Sequence, residues 1–420
     1  MSAFGTALTA FGVSVWIFLE TGSVTQLAVV ALAATLPRSL LAPFAGAYVD
    51  RWDRRIAMLV SDGGAGVTTL ILVVLFVTDS VSIVNLTVVV ALSSAFTAFQ
   101  WPAYQAATTM LVPAAQYSRA QGLIQLSDAG SNLLPPAIAG VLLAWGGISA
   151  VLAIDFLTFG IAAGTLLVVR FPAATVSDVG KKARGRTVLG DAAFGFKYIR
   201  HRPGWMGLLG MQFALNVATG FIGLLLTGYI LTVADERVLG VIVSLWAAGL
   251  VAGAVVMTVW KGAGRRRVSL IVGLVATIGL LFMILGLVGP LAAATAVLFL
   301  VGIPLAMQNA TYRALWQAKV EPDVQGRVFA ARMMIVLFAL PVSYILIGPL
   351  MDHVFIPLLT ADTGIGTRLQ LWFGTGEAAA FRAFLASAGI LAMLGAGAGW
   401  LLPGLRHLER DIPDFFAQSK

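Results

Sequence analysis

Leu270-Ile-Val-Gly-Leu-Val-Ala-Thr-Ile-Gly-Leu-Leu-Phe-Met-Ile-Leu-Gly-Leu-Val288 runs without a single charged side chain. As a helix rising about 1.5 Å per residue it extends roughly 28 Å, close to the ~30 Å hydrocarbon layer of a bilayer. Val81 to Phe99 is a second stretch of the same kind. The whole 420-residue chain is 59% apolar and 11% charged, with mean hydropathy +0.93. A soluble domain carries roughly 25% charged residues to make its polar skin, so lipid is the solvent here. Only helices and closed barrels satisfy the backbone inside a bilayer, and these stretches have helical length. The chain therefore reads as an all-α membrane protein of about twelve transmembrane helices. The spans are expected near residues 3–19, 26–48, 56–78, 82–104, 120–144, 149–169, 205–231, 238–260, 268–288, 290–312, 326–350 and 379–402. Ala3 to Leu19 lacks a basic leading region and a small-residue cleavage site, so it reads as the first span rather than a removed signal peptide.

A net charge of +8 would suit nucleic acid, but the positions of the charges exclude that partner. Numbering the loops alternately puts all of the 27 Lys and Arg in the loops of one side except Arg38, Arg237, Arg368 and Arg382. Basic residues collect on the cytoplasmic side, so both termini are expected in the cytoplasm of a multi-pass plasma-membrane protein, bacterial in type. With no cysteine, disulfides, Cys-based zinc sites and thiol catalysis are excluded. His201, His353 and His407 are isolated in loops and form no metal set. No GxxxxGK[ST] phosphate loop is present, so ATP is not the drive. The chain is read as no enzyme, with no cofactor.

The basic segment 170–204 parts the spans six and six. The expected division is a bundle over 1–170, a cytoplasmic linker over 171–204 and a second bundle with a short tail over 205–420. Val188 to Ile199 mixes Phe194, Phe196 and Tyr198 with Lys197 and Arg200, which fits a helix lying on the anionic leaflet or an ordinary solvated connector. When one half is slid onto the other, Tyr104, Ala106, Val112 and Arg119 fall on Tyr312, Ala314, Val320 and Arg327. Paired six-helix repeats are a known construction of alternating-access transporters.

The most specific motif is Gly46-Ala-Tyr-Val-Asp50-Arg51-Trp-Asp-Arg54-Arg55, after the second span. Gly46 allows close helix approach. Asp50 could sit in the positive field of a facing helix N-terminus, and Arg51, Arg54 and Arg55 can pair with acids or lipid phosphates. The stretch resembles the major facilitator signature G-x-x-x-D-R-x-G-R-R, with Asp53 in place of the second glycine. Leu36-Pro-Arg-Ser-Leu-Leu-Ala-Pro-Phe-Ala-Gly46, Gln325-Gly-Arg-Val-Phe-Ala-Ala-Arg332, Gly348-Pro-Leu-Met-Asp352 and Leu408-Glu-Arg-Asp-Ile-Pro413 are similar to the macrolide-efflux branch, the third drug:proton antiporter family. That resemblance implies proton-driven export of amphipathic small molecules, with Gly46–Arg55 as an inner gate. It implies a second-half counterpart at Arg327, Gly348 and Pro349. Pro135-Pro-Ala-Ile-Ala-Gly140 resembles the antiporter signature G-P-x-x-x-G with its first glycine replaced. Pro135 and Pro136 each remove a backbone donor and kink a helix, and Gly140 permits packing across the kink.

Ionisable residues inside spans are costly and mark functional candidates. Arg38 and Asp62 lie about equally far from Asp50 on antiparallel helices, which predicts an Arg38–Asp62 ion pair. Asp128 and Asp155 are the proton-coupling candidates, because a carboxyl inside the apolar layer can alternate between protonated and charged forms. Asp128 could instead partner Arg38 or Asn132, and Asp155 could be an end residue reached by water. The second half offers only amides in its spans, Gln212, Asn216, Gln308 and Asn309. Trp16 and Trp246 are the aromatic cavity candidates, whereas Trp and Tyr at span ends are expected to anchor the interface. Gly249 and Gly253 read as helix packing.

The partners expected are a small-molecule substrate, protons and the lipid bilayer, with the chain acting as a monomer. A proton-independent facilitator or importer shares the topology and the gate motif. A membrane sensor would need a soluble output element, which neither the tail nor the linker supplies. No charge ring or filter sequence points to a channel. The composition assigns no role to the loop from Asp352 to Ala378.

Overall fold

The computed structural model describes residues 2–49, 54–111, 117–168, 188–260, 266–320, 324–360 and 364–412. Every element among them is helical: α1 (Ser2–Thr21), α2 (Val24–Val49), α3 (Arg54–Val77), α4 (Ile83–Leu111), α5 (Tyr117–Val168), α6 (Val188–Arg200), α7 (Pro203–Val233), α8 (Glu236–Val259), α9 (Arg267–Leu287), α10 (Leu291–Lys319), α11 (Gln325–Leu337), α12 (Ala339–Leu350), a π-helical turn (Met351–Phe355), α13 (Ile356–Thr360), α14 (Gly364–Phe373), α15 (Glu377–Leu401), α16 (Pro403–Arg406) and α17 (Leu408–Asp411). Eleven helices among the described residues are long and apolar enough to cross a membrane. The expected count of twelve differs because α5 joins two spans in one stretch. Its helix breaks at Gly147, where φ is 63° and ψ is −164°. A side chain is strained at that φ, so glycine lets the chain reverse with no longer loop.

By packing, the chain divides into two compact units. One comprises residues 1–191 with Glu236–Val241, and the other residues 192–235 with Ile242–Lys420. In the first, α1 packs on α5 and α2, while α4 packs on both α2 and α3 and α3 also packs on α5. In the second, α9 packs on α15 and α10, and α15 and α12 pack on α7. Lipid supplies no hydrophobic drive between helices, so close approach through small residues holds them. A Cβ built on Gly389 of α15 would lie 2.5 Å from the Gly279 carbonyl oxygen of α9, and one on Gly279 would lie 2.7 Å from that of Gly389. Gly253 likewise meets the Ile303 carbonyl of α10.

The segment expected at the membrane surface is helix α6. Phe194 and Phe196 are exposed on it, Ile199 is buried, and the Arg202 guanidinium stands 3.7 Å over the Tyr198 ring. The tail folds back onto the second unit. The Glu409 carboxylate accepts the backbone N–H of Arg267 at 2.8 Å and of Val268 at 3.3 Å, two of the orphan donors that begin α9. The buried Lys319 ammonium donates to the carbonyls of Glu409 and Ile412.

Candidate functional site

Asp155 stands in the part of α5 beyond Gly147, and 4% of it is exposed. Thr9 of α1 donates its hydroxyl to Asp155 Oδ2 at 2.6 Å, and Thr69 of α3 donates to the same oxygen at 3.1 Å. Three spans therefore meet at one carboxyl. The fit depends on Gly5, because a Cβ there would collide with Asp155 Oδ1 and Thr158 Oγ1. Among the described residues no cation lies within ion-pair distance of Asp155. A carboxyl held by hydroxyls has no fixed counter-charge, and a threonine hydroxyl can both donate and accept. Either hydroxyl could donate to an ionised carboxylate or accept from a protonated one.

The other expected sites are placed differently. Asp62 is buried on α3 and accepts a hydrogen bond from Gln100 Nε2 of α4 at 2.5 Å. Arg38 is exposed on α2, its backbone N–H on Ser94 Oγ at 3.3 Å. Among the described residues no ion pair joins Arg38 to Asp62. The physical reason is that α4 packs against both helices and brings an amide to Asp62, so neighbours in sequence are not the partners in space. Arg327 begins α11 whereas Gly348 and Pro349 end α12. The backbone sets them at opposite ends of a continuous helical stretch, roughly 30 Å apart at 1.5 Å per residue. Gly348 is buried and Pro349 exposed, just before the π-helical turn. Asp50, Arg51 and Asp53 lie outside the described residues, as do the surroundings of Gly46 and the side chains of Arg54, Arg55, Asp128, Asn132 and Arg327.

Pro135 and Pro136 are both buried inside α5. Gly140 in the next turn is closed in by the backbone of Glu236 within the same unit. A Cβ there would lie 2.6 Å from the Glu236 carbonyl oxygen, and one on Gly240 would meet the Pro136 carbonyl. The small residue thus serves close packing beside the double proline. Trp16 is half-buried, edge-on to Phe76 with ring centroids 4.9 Å apart.

In the second unit the amides form a buried seam between α7 and α10. Gln308 Nε2 donates to Gln212 Oε1 at 2.7 Å, and Asn216 Nδ2 donates to the Gln212 carbonyl at 2.9 Å. Gln308 is fully buried, and its Oε1 has no hydrogen-bond partner. The Trp246 indole N–H is likewise buried and unbonded, while Asn309 is half-buried. One charged group in this unit was given no role from the sequence, where it stood among the basic residues of one side and at the end of the Gln325–Arg332 stretch. The Arg332 guanidinium lies 5.1, 5.4 and 5.5 Å from the ring centroids of Phe329, Tyr312 and Trp316. Aromatic faces attract a cation, and no carboxylate pairs with Arg332 among the described residues. The signal that could have found it is the spacing of Tyr312, Trp316 and Phe329, an aromatic set on the two helices that flank one short connection.

The Major Facilitator Superfamily family model matches residues 1–343. The chain is similar to macrolide efflux protein A of Streptococcus pyogenes, 24% identical over 367 residues that make up 84% of this chain and 87% of the relative. It is also similar to the multidrug efflux pump Tap of Mycobacterium tuberculosis, 26% identical over 368 residues and 83% of each chain. Among solved structures, a bacterial homologue of the human lysosomal transporter Spinster aligns with a TM-score of 0.71 at 15% identity, covering 98% of this chain and 95% of that one. A D-xylose–proton symporter aligns with a TM-score of 0.66 at 13% identity, covering 96% and 95%. Eleven helices of membrane-spanning length and composition among the described residues, the Gly46–Arg55 signature in the sequence and a family match over residues 1–343 lead to one assignment: this protein is a membrane transporter of the Major Facilitator Superfamily.

Proposed function

We propose that the protein is a secondary active exporter that exchanges protons for amphipathic small molecules by alternating access, with Asp155 as the carboxyl that takes up and releases the proton. The observation that carries this reading is the buried Asp155, held by Thr9 and Thr69 hydroxyls without a counter-ion among the described residues. A fixed salt bridge would lock the charge, whereas two amphoteric hydroxyls leave it free to change. The names of the relatives, macrolide efflux protein and multidrug efflux pump, support export of amphipathic drugs as the substrate class. The basic asymmetry of the loops supports cytoplasmic termini, which puts the Gly46–Arg55 motif at the inner face, where it would hold the gate. Within the second unit, Gln212, Asn216, Gln308 and Trp246 offer the polar contacts that orient a ligand in an otherwise apolar wall.

The test is accumulation of a macrolide, a lipophilic cationic dye and a siderophore in an efflux-deficient host, with and without an uncoupler. Wild type is compared with Asp155→Asn and Asp128→Asn at equal expression. Lower accumulation in wild type, reversed by the uncoupler and by Asp155→Asn, is the expected result. Reversal by Asp128→Asn alone moves the coupling group to that residue. Export that survives the uncoupler and both variants overturns proton coupling, and no export at all favours a facilitator or importer.

A further inference from the structure

Among the described residues, most of the chain between the last two long spans is helical. α12 passes through the π-helical turn into α13, and α14 follows before α15. The Leu359 carbonyl of α13 accepts the Gly376 N–H and the Gln370 side-chain amide, both at 3.3 Å. Gly374 and Gly376, with φ of 84° and 90°, make the turn into α15 at angles that side chains rarely adopt. One side chain then locks the assembly. Arg382 of α15 donates from Nε to the Gly286 carbonyl at 3.1 Å, from Nη2 to the Leu287 carbonyl at 2.7 Å and from Nη1 to the Phe373 carbonyl at 3.1 Å. These oxygens end α9 and α14, where helices carry unpaired carbonyls and partial negative charge. A single guanidinium therefore sets the end of α14 against the end of α9. The 21 residues of α9 span roughly 31 Å, the thickness of the hydrocarbon layer, so the end of α9 marks the layer's edge and α14 lies at that edge.

The two faces of α14 differ. Gly366 is buried, and Leu369, Gln370 and Phe373 are half-buried at helical spacing. Turned away from the protein are Ile365, Leu371 and Trp372, which are 70%, 83% and 72% exposed. Arg368 lies among them, exposed and without a carboxylate partner among the described residues. Apolar side chains with a Trp and an arginine, at the depth where a span ends, match the boundary of acyl chain and headgroup. Leu287 at the end of α9 is itself exposed there, so the lipid-facing surface of the spans continues onto α14.

We infer that α14 is a membrane-interface helix whose Ile365–Leu371–Trp372 face is embedded in the leaflet at the C-terminal end of α9, with Arg368 on lipid phosphate and Arg382 setting its depth. The occupant of this face is lipid, not a second copy of the chain. The inference stands apart from the proposed export, since it concerns any function the spans perform.

The absence of cysteine makes the test direct. Single-site spin labels are placed at Leu371→Cys and Trp372→Cys, in phosphatidylcholine vesicles containing phosphatidylglycerol. Leu280→Cys on α9 is the lipid-facing reference, and Arg410→Cys in the exposed tail is the aqueous one. Collision with oxygen is expected to exceed collision with a nickel chelate at positions 371 and 372, as at 280, and the ratio is expected to reverse at 410. A reversed ratio at 372 overturns the inference. Shielding of 371 and 372 from both reagents also overturns it, because a second copy or another protein then covers the face. Adding Arg382→Gln to the Trp372→Cys chain should raise label mobility and shift the ratio towards water, while the same change leaves the label at 280 unmoved. No change at 372 would remove Arg382 from the role of setting the depth.

Discussion

Replacing Asp155 with Asn keeps the shape of the buried group and removes its charge. The bonds from Thr9 at 2.6 Å and Thr69 at 3.1 Å can re-form to the amide oxygen. A hydrogen bond to a charged group contributes about 1.5–3 kcal/mol and a neutral one about 0.5–1.5 kcal/mol, so the two together weaken by about 2–3 kcal/mol. Against this, burying an ionised group costs several kcal/mol after relaxation, and the amide avoids that cost. The effects oppose each other, and Asp155→Asn is expected to melt within about 4 °C of wild type, a difference of about 1 kcal/mol in a unit of this size. Asp155→Leu is different, because both hydroxyls lose their acceptor in a buried site at a cost of about 1–3 kcal/mol each. The assay pairs thermal unfolding in detergent with uncoupler-sensitive export from cells. The expected outcome is a stable Asp155→Asn without uncoupler-sensitive export, beside a less stable Asp155→Leu. Wild-type export by Asp155→Asn would refute the coupling role. Melting of Asp155→Asn as low as that of the Leu variant would show that the charge itself holds α1, α3 and α5 together, and the hydrogen-bond reasoning would fail.

Three further outcomes follow from the second unit. Gln308→Leu leaves Gln212 Oε1 buried without a donor and should cost about 1–3 kcal/mol; adding Gln212→Leu should recover part of the loss, and purely additive melting shifts would deny that the pair interacts. Glu409→Ala strips the acceptor from the Arg267 and Val268 N–H groups. The site is partly exposed, so about 1 kcal/mol is expected, together with a more mobile spin label at Arg410→Cys, and an unchanged label would reject the tail contact. Gly389→Val drives a side chain into the Gly279 carbonyl, the Met283 amide nitrogen and the Phe282 backbone. Backbone atoms cannot step aside, so a loss of about 1–3 kcal/mol or more should appear as a lower melting temperature, and wild-type melting would contradict the close approach of α9 and α15.

What the sequence determined by itself is what depends on local composition. Uncharged runs of bilayer length, as in Leu270–Val288, state that lipid is the solvent, and hence that helices must close their own hydrogen bonds. The spacing within Gly46–Arg55 and the match along most of the chain identify the family. Placement of carboxyls within apolar runs marks Asp128 and Asp155 alike as costly and therefore worth attention. What surrounds each such group is decided by packing, which brings together residues far apart in the chain. Asp62 accepts a bond from Gln100 of α4 because α4 lies against both α2 and α3, where equal distance from Asp50 on antiparallel helices had paired it with Arg38. Asp155 draws its two donors from α1 and α3, and no spacing along α5 could have shown them. Gly147 fuses two spans because its φ allows an abrupt reversal, a property of backbone geometry that hydropathy does not register. Arg332 counts as one more basic residue until Tyr312 and Trp316 of α10 and Phe329 of its own helix α11 form its surroundings. Hydropathy is additive along a chain and can be read one window at a time, whereas a partner is a matter of distance and exists only once the helices have packed.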